Sequence, residues 1–134
     1  MITLDTSGLV AIFDDRDRWH SEAMSIIESN KGANILPSNV MAEIAYILES
    51  RIGPLQLLRF LDDVESGGYT LDCGSQDIPR IRELVQRYSD MSLGFADAAV
   101  IACAERNGGR VLTRDFRHFS AVARELNLTL LFGI

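Results

Sequence analysis

Lysine is almost missing from this chain: of 13 basic residues only Lys31 is one, and the remainder are arginines. Arginine suits bidentate phosphate contacts and buried ion pairs, although genomic base composition skews usage the same way. Cysteine is scarce too, with Cys73 and Cys103 alone and no CxxC pair, and the two histidines, His20 and His118, stand in no metal-binding spacing. These shortages argue against a thiolate zinc site and for thiols kept reduced in a cytoplasm. No apolar run approaches the ~18 residues of a membrane span. The start, Met1-Ile2-Thr3-Leu4-Asp5, has no basic region and meets an acid at once, unlike a secretory signal.

What is present is an ordinary globular composition. The 134 residues are 47% hydrophobic and 24% charged, enough for one domain, 1–134, with a real core and no need of staples. A net charge of -6 taken alone counts against a nucleic-acid binder. No repeat, linker or low-complexity segment divides the chain.

The pattern along the chain alternates strands and helices. Residues 1 to 5 form a short strand, and Thr6 or Ser7 is placed to cap a helix from Leu9 to Phe13. A helix from about Trp19 to Ser29 and a strand at Asn34-Ile35-Leu36 follow. A longer helix runs from Val40 to about Arg51, with Val40, Ile44, Ile47 and Leu48 as its apolar stripe and Glu43 beside it. Gly53 breaks it, and Pro54 starts another through Leu55, Leu58 and Leu61, a stripe suited to the core or to a dimer contact. Strands at Tyr69-Thr70-Leu71, at Arg110 to Thr113 and at Leu128 to Phe132 alternate with helices from Asp77 to Tyr88 and from Phe116 to Glu125. With no hairpin signal, this is an α/β fold, a parallel sheet wrapped by helices on both faces.

The helix from about Ser92 to Arg106 stands apart. Between Gly94 and Cys103, Asp97 is the only side chain charged at neutral pH, amid alanine, valine and isoleucine on every side. A helix apolar all round belongs in a core, so Asp97 is expected to be partly buried. A carboxylate there is protonated, paired with an arginine such as Arg114 or Arg117, or bound to a cation.

Three further acids favour the cation. Asp5 and Asp115 stand at the carboxyl ends of strands, where open parallel sheets bind their ligands, and Glu43 and Asp97 lie one turn into helices that follow strands. Four carboxylates converging on one rim repel unless something positive lies between them. Oxygen donors without histidine or cysteine select Mg²⁺ or Mn²⁺. Such an ion holds a phosphate oxygen and lowers the pKa of a bound water, chemistry that hydrolyses phosphodiesters. Asp5, Asp97 and Asp115 are then ligands, with Glu43 a ligand or a base that orients water.

Asp5-Thr6-Ser7, Glu43, the helix start Phe95-Ala96-Asp97-Ala98 and Thr113-Arg114-Asp115-Phe116-Arg117-His118-Phe119, in this order over the whole chain, resemble the PIN-domain ribonucleases and among them the VapC toxins of bacterial toxin-antitoxin pairs. The resemblance implies a five-stranded parallel sheet, Mg²⁺- or Mn²⁺-dependent endonucleolytic cleavage of RNA, a homodimer, and a cognate VapB-type antitoxin that blocks the site. Carried over by residue, Asp5, Glu43, Asp97 and Asp115 match the acidic quartet, Thr113 the hydroxyl that braces it, and Thr6 the position after the first acid. Arg114 and Arg117 flank the site as candidate RNA contacts, with surface or ion-pair roles as the alternative. The chain departs at Gly94, where many relatives carry a further acid. The acidic field favours a narrow target, a structured tRNA or rRNA loop with splayed bases.

Other readings fit less well. A receiver-like signalling module needs two adjacent early acids and a late lysine, neither of which this chain has. A housekeeping PIN nuclease without an antitoxin has the same site. His118 is expected to serve structure rather than acid catalysis, and His20 to pack or cap.

Overall fold

The computed structural model describes residues 1–72 and 74–131. Five strands, β1 (Ile2–Leu4), β2 (Asn34–Pro37), β3 (Thr70–Asp72), β4 (Arg110–Leu112) and β5 (Thr129–Leu130), form one sheet in the order β3-β2-β1-β4-β5, with every pairing parallel. The expected fifth strand is shorter than Leu128 to Phe132, and Phe132 lies outside the described residues. Seven α-helices connect them: α1 (Thr6–Phe13), α2 (His20–Ser29), α3 (Met41–Ile47), α4 (Pro54–Glu65), α5 (Ile78–Arg87), α6 (Phe95–Arg106) and α7 (Phe116–Leu126). The chain steps from β1 outward to β3, then returns to β4 beside β1 and moves out the other way. Right-handed crossovers therefore put α1 to α4 on one face and α5 to α7 on the other. The order reverses between β1 and β4, which is where a ligand site is expected.

The core forms from both layers. Ile2, Leu4, Leu36, Val111 and Leu112 from the strands are buried with Leu9, Ile44, Phe60, Leu84, Ile101 and Phe119 from the helices. Helix α6 lies against β1, β2 and β4, and Ala98 to Ala104 are all buried, as its apolar circumference requires. It begins at Phe95, not Ser92, because Ser92 has a left-handed backbone (φ 56°) that cannot open a right-handed helix; extended Gly94 precedes the first turn. On the other face α1 packs backbone to backbone on β4. A Cβ on Gly8 would stand 2.4 Å from the Leu112 carbonyl oxygen, so only glycine fits.

Several local expectations change. Neither Thr6 nor Ser7 caps α1, which starts directly at Thr6 with Asp5 before it, because the Ser7 hydroxyl is taken up by Asp5. The helix expected from Val40 to Arg51 is three pieces: a 3-10 turn (Ser38–Val40), α3, and a π-helical turn (Leu48–Ile52) that closes at Gly53 with φ 138°. Leu55 and Leu58 do not enter the core, being 59% and 57% exposed, while Phe60 on the opposite side of α4 is fully buried. Likewise Ile78 is exposed, and α5 is anchored by Ile81 and Leu84. Cys103 is buried and disulfide-bonded, against the expectation of reduced thiols; Cys73 lies outside the described residues. Among the described residues no helix is long and apolar enough to cross a membrane.

Candidate active site

The ends of β1 and β4 lie side by side, and this adjacency builds the site. The Asp5 amide donates to the Leu112 carbonyl at 3.1 Å, prolonging the ladder until Asp5 meets the residues that leave β4. Asp5 is buried, and its Oδ2 accepts hydrogen bonds from Thr113 Oγ1 and Ser7 Oγ, each at 2.8 Å. Each hydroxyl is fixed by a backbone donor: the Asp115 amide donates to Thr113 at 2.9 Å and the Arg114 amide to Ser7 at 2.9 Å. With both hydroxyl protons committed to Asp5, the 3.2 Å approach of Ser7 to Thr113 is a contact between two acceptors. Thr113, fully buried, thus holds the Asp5 carboxylate and also fixes the backbone that carries Asp115.

Asp115 precedes the first turn of α7 and accepts the His118 amide at 3.1 Å, so one carboxylate both caps a helix and faces the cleft. Asp97 comes from the first turn of α6, half-buried. Glu43 comes from the first turn of α3 and stands exposed at the rim. All four acids line one cleft of about 230 Å³ with Thr6, Ser7, Ile47, Arg51, Ala96 and Arg114.

The carboxylates feel one another. Burial pushes Asp5 above the usual carboxylate range, against the hydrogen bonds of Thr113, Ser7 and the Thr6 backbone, and Asp115 pushes the same way. Burial also raises Asp97; His118 opposes this, while Asp5, Asp115 and Glu43 reinforce it. Partial shielding raises Glu43, and the charge of Asp5 adds to it.

Sequence reasoning missed two neighbours. Ser7 shares the support of Asp5 with Thr113, though its place beside the first acid was the available signal. His118 bridges two acids, Nδ1 at 3.2 Å from Asp115 Oδ2 and Nε2 at 3.5 Å from Asp97 Oδ2. Burial works to lower its pKa, but the two carboxylates outweigh that and hold the imidazole above its ordinary value. The arginines do not pair with Asp97. Arg114 is bound to Asp17 instead, so its charge is already met, and Arg117 is exposed beside a separate hollow lined with Met91, Asp115 and His118.

The donor set fits a hard cation: clustered carboxylate oxygens, no thiolate, and mutual repulsion that an ion relieves. Among the described residues no three acidic, histidine or cysteine side chains form a ready-made metal cage. Mg²⁺ does not need one, since it keeps several waters and is held by one or two carboxylates plus substrate phosphate. At Gly94 a Cβ would meet open space.

Comparison with known proteins agrees with this geometry. The PIN domain family matches residues 2–125. The chain is 36% identical over 121 residues to Ribonuclease VapC26 of Mycobacterium tuberculosis (strain ATCC 25618 / H37Rv), covering 89% of this chain and 90% of that one. Its fold is similar to the crystal structure of Mycobacterium tuberculosis VapC20, described as a sarcin-ricin loop cleaving toxin, with a TM-score of 0.79 at 20% identity over 90% of this chain and 95% of that one. A toxin-antitoxin complex from Klebsiella pneumoniae gives a TM-score of 0.74 at 21% identity over the whole of both chains. FitAcB from Neisseria gonorrhoeae gives 0.66 at 16% identity, covering 98% and 97%. Such a match along nearly the full chain leaves no room for the receiver-like reading: the chain belongs to the PIN-domain family, on its VapC branch.

Proposed function

We propose that this protein is a VapC-type endoribonuclease toxin that hydrolyses RNA phosphodiester bonds with Mg²⁺ or Mn²⁺ and is inhibited by a cognate VapB-type antitoxin. The observation that carries it is the convergence of Asp5, Glu43, Asp97 and Asp115 at the β1/β4 switch point in a chain 36% identical to Ribonuclease VapC26. Asp5, Asp97 and Asp115 hold the ion, with Glu43 at the rim as a further ligand or the base that orients the attacking water. Thr113 and Ser7 keep Asp5 aimed into the cleft, and Thr6 supplies a backbone donor to its carboxylate. When bound, the ion neutralises charge on the phosphate and lowers the pKa of a coordinated water.

The substrate is a structured tRNA or rRNA loop, and the enzyme works as a single PIN domain. Two apolar faces on opposite sides of the sheet support the homodimer and the antitoxin as protein partners. Tyr46, Leu55 and Leu58 are exposed on α3 and α4, and Ile78 and Phe95 on α5 and α6. The test is cleavage of total RNA by purified protein in Mg²⁺ or Mn²⁺, with EDTA and with Asp97→Asn alongside. Discrete fragments that disappear in both controls are expected; cleavage that survives EDTA sinks the metal-dependent reading.

A further inference from the structure

Arg51 stands in the acidic cleft with an uncommitted charge. It lines that cleft with Glu43 and Ile47 and is exposed. Among the described residues no ion pair or hydrogen bond engages it, whereas Arg114, the other arginine of the cleft, is held by Asp17. Its place depends on the π-helical turn. Glu43, Ile47 and Arg51 are four apart, and in a regular α-helix each step of four drifts about 40° around the axis, so the third would turn away from the first two. The wider turn at Leu48–Ile52 advances fewer degrees per residue and keeps Arg51 on the cleft side. Single π turns of this kind recur at functional sites.

The distances suit a strand of RNA. Eight residues of helix put Arg51 about 12 Å from Glu43 along the axis, and helical side chains lean toward the N-terminus, here toward the acids. The guanidinium thus borders the cleft that the acids line, on the side from which a strand bound there would run. A chain of net charge -6 with four clustered carboxylates repels RNA, so a cation at the entrance changes affinity more than it would on a basic surface.

We propose that Arg51 grips a backbone phosphate of the RNA strand one or a few nucleotides from the cleavage point, a positioning contact set by the π-helical turn. This rests on the nuclease reading above, and the test separates the two. A short fluorescein-labelled single-stranded RNA of mixed sequence is titrated with Asp97→Asn, alone and combined with Arg51→Ala or Arg51→Lys, over a range of salt by fluorescence anisotropy. Removing one phosphate contact from a single strand should weaken binding roughly tenfold and flatten the plot of log K against log salt by about 0.7, with Arg51→Lys restoring the slope. In the otherwise wild-type enzyme Arg51→Ala should raise KM with kcat nearly unchanged, since the contact is equal in ground and transition states. An unchanged salt slope and affinity, or a fall in kcat at constant KM, overturns the assignment. Loss of metal-dependent cleavage in the wild type with the slope change intact would instead overturn the nuclease reading alone.

Discussion

Replacing Thr113 by valine exchanges one hydroxyl for a methyl group of nearly the same shape in a fully buried position, so it isolates the hydrogen bonds from the packing. Two bonds vanish. The Asp5 carboxylate loses one of its two hydroxyl donors, a bond to a charged acceptor that contributes about 1.5–3 kcal/mol, and the Asp115 amide loses its acceptor at a cost of about 1–3 kcal/mol. The added methyl returns about 0.8 kcal/mol, leaving a net loss of roughly 2–5 kcal/mol. For a domain of this size that is about 7–18 °C in Tm, measured by circular dichroism in EDTA. The loss depends on pH with a definite sign. Asp5 has a folded-state pKa raised above its unfolded value, so its ionisation costs stability, and that cost grows as pH rises through the folded value. Removing a donor raises the pKa further and enlarges the cost, so the Asp5 part of the difference is largest near neutrality and shrinks on acidification. A Tm within about 3 °C of wild type at neutral pH, or a difference independent of pH, would refute the idea that Thr113 holds a charged Asp5.

Four other perturbations probe the frame and the charge cluster. Asp97→Asn removes a charge that burial and three acids disfavour, so the metal-free protein should melt higher near neutral pH, with the gain fading as pH falls through the raised Asp97 value. Mn²⁺ at about 100 times its Kd should stabilise the wild type by about 2.7 kcal/mol in thermal melts and leave Asp97→Asn nearly unmoved; equal shifts in both would remove Asp97 from the ligand set. Gly8→Ala drives a Cβ into the Leu112 carbonyl and should cost about 2–4 kcal/mol in urea unfolding, with a drop in cleavage as α1 and Asp5 shift; a neutral result would show that α1 can move freely on β4. Arg106→Ala strands the buried Asp77, which it meets at 2.7 Å, and should cost about 2 kcal/mol in urea without affecting KM, the arginine itself being partly exposed.

Much of the fold was legible because its signals are local. Alternating apolar strands and helices, the break at Gly53, and the all-apolar α6 appear in the sequence at nearly their structural positions. The acids were legible for the same reason: Asp5 and Asp115 follow strands, Glu43 and Asp97 open helices, and parallel strands send those ends to one edge. The π-helical turn was not, since nothing local distinguishes Leu48–Ile52 from a continuing helix. The Leu55 and Leu58 stripe was ambiguous because amphipathic spacing says that a face is apolar without saying what covers it.

By itself the sequence determined the alternation of strands and helices, the half-buried position of Asp97 and which acids stand at strand ends and helix starts, all properties of short stretches of chain. Only the tertiary structure decided how the pieces serve one another. The strand order puts β1 beside β4, so Ser7 and Thr113, 106 residues apart, share one carboxylate. Folding also brings Arg114 to Asp17 and lays His118 across Asp97 and Asp115. Such pairings depend on which strands become neighbours and on competition among charges for partners, and, His118 with Asp115 apart, no short window of the sequence contains both members.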